Sequence, residues 1–330
     1  MGLKWYVARR IAWSGIVACL ILTVTFVLLE YAPDAELARV QFRAAASGDS
    51  AATAAEAYAG RRGLDGPMWE RYAEYLATLA TGDWGWSHTR SQPVLEAILT
   101  ALPYSLMYTV PAVIASTVLG IGIGLYSAFN QYSKTDYAAT FVAFFGISIP
   151  NFWFGIVLLL VFAVHLGWVP VLFDAELART RPFSLANARQ LALPVFVLAT
   201  SAIAGTMRYA RAEALEYVRA AFVKAARAKG ASEWRIVTRH VLRPTLVPLS
   251  TILVGDLLGV ILSASYLVEV VFGIPGLGLL SYRAIVQGDV PLVLATVLLP
   301  TFVALLGNLL QDVAYAALDP RIDYGGREGR

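Results

Sequence analysis

An all-α membrane protein with six transmembrane helices is predicted by three features of this 330-residue sequence. Its residues are 58% hydrophobic, with a mean hydropathy of +0.62. Only 15% are charged, against roughly 25% in an ordinary soluble domain. Apolar runs at 11–29, 104–128, 138–166, 191–210, 246–272 and 290–316 are each long enough for a helix to cross a hydrocarbon core, which takes about 20 residues.

The first run follows Lys4, Arg9 and Arg10. It exceeds the apolar core of about 7–15 residues of a secretory leader, and no small-x-small cleavage site follows Glu30, so 1–30 is predicted to be an uncleaved anchor span. Orientation follows from Lys and Arg, which accumulate in cytoplasmic loops. Residues 208–243 hold nine of them against three acids, Glu213, Glu216 and Glu233, so this loop is predicted to be cytoplasmic. Counting through the spans of this cell-membrane protein puts both termini in the cytoplasm and 31–103 outside. The stretch 30–103 carries six Arg against ten acids, as the rule allows. The remainder divides into a membrane core, 104–318, containing the basic loop 213–244, and a cytoplasmic tail, 319–330.

Within the outer segment, the Ala-rich stretch 40–60 reads as weak helix or mobile loop. From 67 to 79, Trp69, Tyr72, Leu76 and Leu79 recur at three- and four-residue steps, predicting a one-sided helix with Glu70, Arg71 and Glu74 opposite. It is expected to lie at the outer bilayer surface or against the spans. In the second span, Ser116, Gly120 and Gly124 form a small-residue face for close helix packing.

Several chemistries are excluded. No Lys follows a Gly, so the phosphate-cradling G-x-x-x-x-G-K-[ST] loop is absent. The lone Cys19 and the scattered His88, His165 and His240 offer no metal site. Ser148 and His165 on one helix are about 25 Å apart at 1.5 Å per residue, too far for a serine hydrolase pair. Of the acids in spans, Asp256, Glu269 and Asp312, only Asp256 lies deep. It supports one rival reading, a proton-coupled secondary carrier.

The stretch "KAARAKGASEWRIVTRHVLRP" carries the densest information. Residues 213–229 lack Gly and Pro and are predicted to continue helically from the fourth span. Gly230 suits a left-handed C′ position, and Ser232 caps a second helix with Glu233 in its first turn. That helix is predicted to stop before Pro244. Ala221, Ala225 and Ala228 form a small face suited to a partner's groove, with Lys224 and Arg227 projecting elsewhere. Contact with anionic lipid needs the charge but not the elbow.

This segment resembles the cytoplasmic signature of permease subunits of ABC importers, in the peptide and nickel branch. The signature reads Glu-Ala-Ala, three residues, Gly, and Lys224, Ala225, Ala226 and Gly230 match it, with a basic residue replacing Glu as is usual in that branch. The general motif's Leu-Pro stands here as Leu242-Arg243. "LDGPMWERYAEYL", "GDWGWS", "PVLEAILTALPYSL", "SIPNFWFGIVLLL", "LGWVP", "VFGIPGLG" and "LDPRIDY" are similar to family segments in the same order. The stretch 40–60 does not match, and "APDAE" stands where the family has Gly-Asp-Pro.

The resemblance implies the permease subunit of an ATP-driven importer, with a second homologous permease, two cytoplasmic ABC ATPase subunits and an extracytoplasmic substrate-binding protein as partners. The bilayer is its other partner, and no nucleic acid is. ATP and Mg are expected on the ATPases, with no cofactor, metal or catalytic residue in this chain. ATPase docking is assigned to Lys224, Ala225, Ala226, Arg227, Gly230, Ala231 and Glu233. Translocation-path candidates are Ser148, Asn151, Ser201, Asp256 and Ser263. Glu269, Pro275 and Gly276 are candidates for an outer gate or a binding-protein contact. A scaffold that recruits a cytoplasmic protein without substrate flux is the remaining alternative.

Overall fold

The structure, a computed structural model, describes residues 3–31, 35–61, 66–246, 249 and 266–318. Among these its regular structure is helical apart from one hairpin of two short strands. Among the described residues, four helices are long and apolar enough to cross a membrane, and two bent helix pairs raise the number to six if each pair is one span. The predicted fifth span, 246–272, lies mostly outside the described residues. The chain divides into two compact units, Met1–Ala97 with Ala284–Arg330, and Ile98–Arg283.

In the first unit, α1 (Leu3–Tyr31) packs against α14 (Val290–Leu318). Of the two readings of the Ala-rich stretch, the helical one holds: it forms a helical hairpin, α2 (Ala35–Ser47) and α3 (Ala51–Arg61). High alanine propensity and the contact between the two helices favour it over a loop. The predicted amphipathic helix is α4 (Met68–Ala80), and it lies on α1. Tyr72 Oη meets Thr23 Oγ1 at 2.6 Å, and the Phe26 and Tyr72 rings cross edge to face at 5.2 Å. The half-buried face is rotated from the expected one. Trp69 is exposed, while Arg71, predicted on the polar side, is half-buried in an ion pair with Glu30. That distant carboxylate makes burial of the guanidinium tolerable. Strands β1 (Trp86–Ser87) and β2 (Gln92–Pro93) pair antiparallel with Trp86 opposite Pro93.

In the second unit, α5 (Val94–Phe129), α6 (Lys134–Ser148) and α9 (Leu185–Val218) approach closely through glycines. A Cβ at Gly120 would stand 2.7 Å from Thr206 Cβ, and one at Gly124 2.6 Å from Met207 O. The predicted small-residue face is therefore a packing face. Gly146 plays the same part for α6, where a Cβ would stand 2.6 Å from Thr200 Cγ2. The predicted third span is not continuous: α6 and α7 (Asn151–Leu158), with its π-helical extension Leu159–His165, meet at 101°. The cause is Pro150, which forces Ile149 into extended geometry, φ −93° and ψ 126°. A core of Tyr108, Leu158, Leu191, Val197, Val268, Phe272 and Ile274 joins these helices to α12 (Tyr266–Phe272). The short α8 (Ala175–Thr180) and α13 (Leu277–Gln287) complete the described helices outside the basic loop.

Candidate functional site

The basic loop folds as α10 (Ala221–Ala228), a turn, α11 (Glu233–Arg235) and a π-helical stretch, Ile236–Leu242. The predicted unbroken helix over 213–229 is interrupted: α9 ends at Val218, and Ala220 is extended at φ −64° and ψ 149°. The break turns Val223 inward, where it is fully buried with Leu125, Ala128, Ala214, Ile236 and Val241. Each fully buried aliphatic of this cluster contributes about 1.5–3 kcal/mol. The helix also runs through Pro244 to 246. The wide turn of the preceding π-helix has already departed from the i−4 pattern with which a proline ring collides.

The elbow matches its predicted form. Gly230 is left-handed, φ +78°. Its N–H donates to Arg227 O at 2.9 Å, and the Ala231 N–H donates to Ala226 O at 3.1 Å. This paired closure is the Schellman arrangement, in which glycine at C′ avoids the Cβ penalty. Ser232 Oγ caps α11 by accepting from the Arg235 N–H at 3.4 Å. Across the bend, Arg227 donates from Nε and Nη2 to Glu233 at 3.0 and 3.2 Å. Both side chains are exposed, so the pair fixes direction more than it stabilises, contributing about 0–1 kcal/mol.

A groove of ≈ 590 Å³ opens on the elbow. Ala225, Ala226, Gly230 and Ala231 form its small-residue floor beside Phe222, and Lys229, Arg235, Arg239 and His240 edge it with charge and polarity. Ala221 and Ala228, expected on the small face, do not line it. The face runs instead through 222, 225, 226 and 229, an i, i+3, i+4, i+7 series that was available in the sequence. Lys224 is exposed away from the groove, and Trp234 stands 77% exposed on the next helix. The arrangement suits insertion of a narrow, cation-edged helix into a cleft with acidic character.

The other predicted residues fall in separate places. Asn151 Nδ2 donates to Ser201 Oγ at 3.4 Å, which donates to Leu198 O at 2.9 Å. Ser148 is exposed, its hydroxyl bonded to Phe144 O at 2.8 Å. Asp256 and Ser263 lie outside the described residues. Glu269 is completely buried, its Oε1 accepting from Ser105 Oγ at 2.7 Å and Tyr108 Oη at 3.0 Å. Its Oε2 accepts from the Leu279 N–H at 2.9 Å, and Ser105 Oγ accepts from the Leu277 N–H at 2.8 Å. The carboxylate thus clips the 92° bend between α12 and α13 to α5. Pro275 is half-buried and Gly276 buried within this bend. A Cβ at Gly276 would collide with Glu269 and Ser105.

Sequence reasoning missed a second anchor. Asp136, 2% exposed, accepts from Arg211 Nη2 at 2.8 Å, from the Tyr132 N–H at 2.9 Å and from Ser127 Oγ. It ties the start of α6 to α9 just before the basic loop. Among the described residues no group of three His, Cys, Asp or Glu is placed to hold a metal.

Comparison with known proteins places this geometry in context. Residues 120–324 match the family described as binding-protein-dependent transport system inner membrane component. The chain is similar to the oligopeptide transport system permease protein AppB of Bacillus subtilis, 35% identical over 97% of this chain and 99% of that one. It is also 35% identical to the oligopeptide transport system permease protein OppB of Haemophilus influenzae, over 79% of this chain and 82% of the relative. The dipeptide transport system permease protein DppB of Alkalihalophilus pseudofirmus is 31% identical, over 80% and 84%.

Proposed function

We propose the following reading for a chain that belongs to the family of binding-protein-dependent transport system inner membrane components: it is the membrane-spanning permease subunit of an ATP-driven peptide importer. The chain does not hydrolyse ATP; ATP and Mg are bound by two separate cytoplasmic ATPase subunits. A second homologous permease and an extracytoplasmic substrate-binding protein complete the importer. Six spans with both termini cytoplasmic place the 213–244 loop on the ATPase side and 31–103 on the binding-protein side, in accord with the Lys and Arg distribution.

The observation that carries the mechanism is the glycine elbow with its small-residue floor, anchored through the buried Val223. Lys224, Ala225, Ala226, Arg227, Gly230, Ala231 and Glu233 dock an ATPase subunit. Closure of the ATPase pair shifts the elbow and biases the spans between inward- and outward-facing states, through contacts that differ between the two. Ser148, Asn151 and Ser201, with Asp256 and Ser263, line the path, and Glu269, Pro275 and Gly276 shape its outer gate. The burial of Glu269 favours this gate role over contact with a soluble partner. A cysteine at Ala225 of the assembled importer is expected to cross-link to an ATPase subunit, with a yield that changes on adding ATP. ATP-driven peptide uptake by an importer that never gives this cross-link rules out the docking assignment.

A further inference from the structure

The outer segment of the first unit contains a feature that the docking reading does not use. Arg39 and Arg43 of α2 sit four residues apart on one helix face, where like charges oppose each other. Together with Val40, His88, Thr89 and the turn Gln287–Asp289, they line a recess of ≈ 300 Å³. Arg39 Nη2 donates to Gln287 O at 3.3 Å, which holds its guanidinium at the rim. The loop bearing His88 is held from beneath. Asp289 Oδ2 accepts from Ser87 Oγ at 2.7 Å, the Thr89 N–H at 3.0 Å and Thr89 Oγ1 at 2.8 Å. Its Oδ1 accepts from the Leu292 N–H at 3.4 Å. The acid within the recess is therefore already engaged. No described carboxylate forms an ion pair with Arg39 or Arg43. This cationic opening stands in a stretch, 30–103, that is acidic overall, with ten acids against six Arg.

We infer that Arg39 and Arg43, with His88 beside them, receive an acidic side chain of the substrate-binding protein. The inference rests on the importer reading above, which puts this segment outside the membrane. Three observations favour a protein carboxylate over the transported peptide. The volume is at the lower limit of small-molecule sites, about 300–1,000 Å³, and suits one side-chain head with water. Both arginines are exposed at the rim. The recess is built entirely within the first unit, whereas the described path candidates Ser148, Asn151 and Ser201 belong to the second. Charges at the rim of an interface act chiefly on encounter and register, and their effect is screened by salt.

The test uses the complete importer, both permeases and both ATPases, in nanodiscs, with its peptide-loaded binding protein titrated while ATP hydrolysis is measured. Arg39→Glu with Arg43→Glu is expected to raise the half-saturating concentration of binding protein by about tenfold and leave the maximal rate within about twofold. Arg39→Lys with Arg43→Lys keeps the charge and is expected to restore near-normal saturation. Added NaCl is expected to weaken the wild type and not the Glu variant. An unchanged half-saturation in the Glu variant, or a fall in maximal rate alone, overturns the recess assignment while the importer reading stands. So does a shift confined to the peptide concentration that loads transport. A wild-type importer whose ATP hydrolysis ignores the binding protein refutes the importer reading and this inference together.

Discussion

Replacing Gly230 by asparagine, alanine and valine separates the shape of the elbow from the surface it presents. At φ +78° the backbone is left-handed, and a Cβ built there meets nothing within 4 Å. Side-chain clash within this chain is therefore absent, and the cost is that of the backbone alone, about 1–2 kcal/mol for an ordinary L residue. Asparagine tolerates this region, and a β-branched residue resists it most. A loss of about 1–2 kcal/mol changes a local equilibrium by a factor of about 5–30. The Arg227–Glu233 pair across the bend, worth about 0–1 kcal/mol, cannot offset it. Peptide imported per ATP hydrolysed, measured in proteoliposomes, is expected to fall in the order Gly, Asn, Ala, Val, by about 5–30-fold at the Val end. Membrane insertion is expected to be unchanged. Valine coupling as well as glycine refutes the role of the bend. Asparagine impairing as strongly as valine transfers the effect from backbone conformation to contact with the ATPase.

Asp289 and Glu269 give two further expectations. Burial raises the Asp289 carboxyl, but hydrogen bonds from Ser87, from Thr89 and from the Leu292 N–H more than offset this and hold it below the usual carboxylate range. A depressed folded value means stability that is present above the unfolded value, about 3.9, and is lost as pH falls from there through the folded one. Asp289→Asn is accordingly expected to destabilise the purified permease by about 1–3 kcal/mol at neutral pH, with the deficit beginning to shrink below about pH 4 and vanishing only below the depressed folded value; a deficit that does not shrink as pH falls through that range contradicts the assignment. Glu269→Gln sets amide hydrogens against donors already pointing at the carboxylate, and is expected to cost about 1–3 kcal/mol in thermal unfolding, with Tyr108→Phe costing about 1 kcal/mol. Because both residues belong to one network, the double variant is expected to lose less than the sum; strict additivity contradicts the clip.

What the sequence made legible was local. Gly230 announced itself because a lone glycine after an alanine- and lysine-rich helix has few other uses, and its φ is left-handed. Ser116, Gly120 and Gly124 marked a packing face because four-residue spacing places them on one side of a helix. The bend at Pro150 is present in the sequence, but an apolar run over 138–166 predicts a continuous span, since hydropathy is blind to a missing amide. The break at Arg219–Ala220 had no local signal: it is imposed by Val223 entering a cluster with Leu125 and Ala214. Likewise Ser105 and Tyr108, 164 and 161 residues from Glu269, become its partners only through the fold. An isolated Glu in an apolar run shows that partners must exist, not which they are.

On the proposed reading, these long-range ties decide where a push on the elbow is delivered. Val223, Ile236 and Val241 share one cluster with Leu125 and Ala128 of α5 and Ala214 of α9. Close-packed interiors compress little, so a displacement of α10 is passed to the ends of α5 and α9 that carry Leu125, Ala128 and Ala214 instead of being absorbed. Glycine-mediated contacts at Gly120, Gly124 and Gly146 leave no slack between α9 and its neighbours α5 and α6. The buried Asp136–Arg211 ion pair binds the start of α6 to the same body. The next break in the chain is the 101° bend at Ile149–Pro150, where the backbone hydrogen-bond ladder is interrupted. Just beyond it, Asn151 reaches Ser201 through a single hydrogen bond of 3.4 Å, near the limit of useful geometry. On that reading the path candidates Asn151 of α7 and Ser201 of α9, joined by this one long hydrogen bond, are the side chains that part when the path opens.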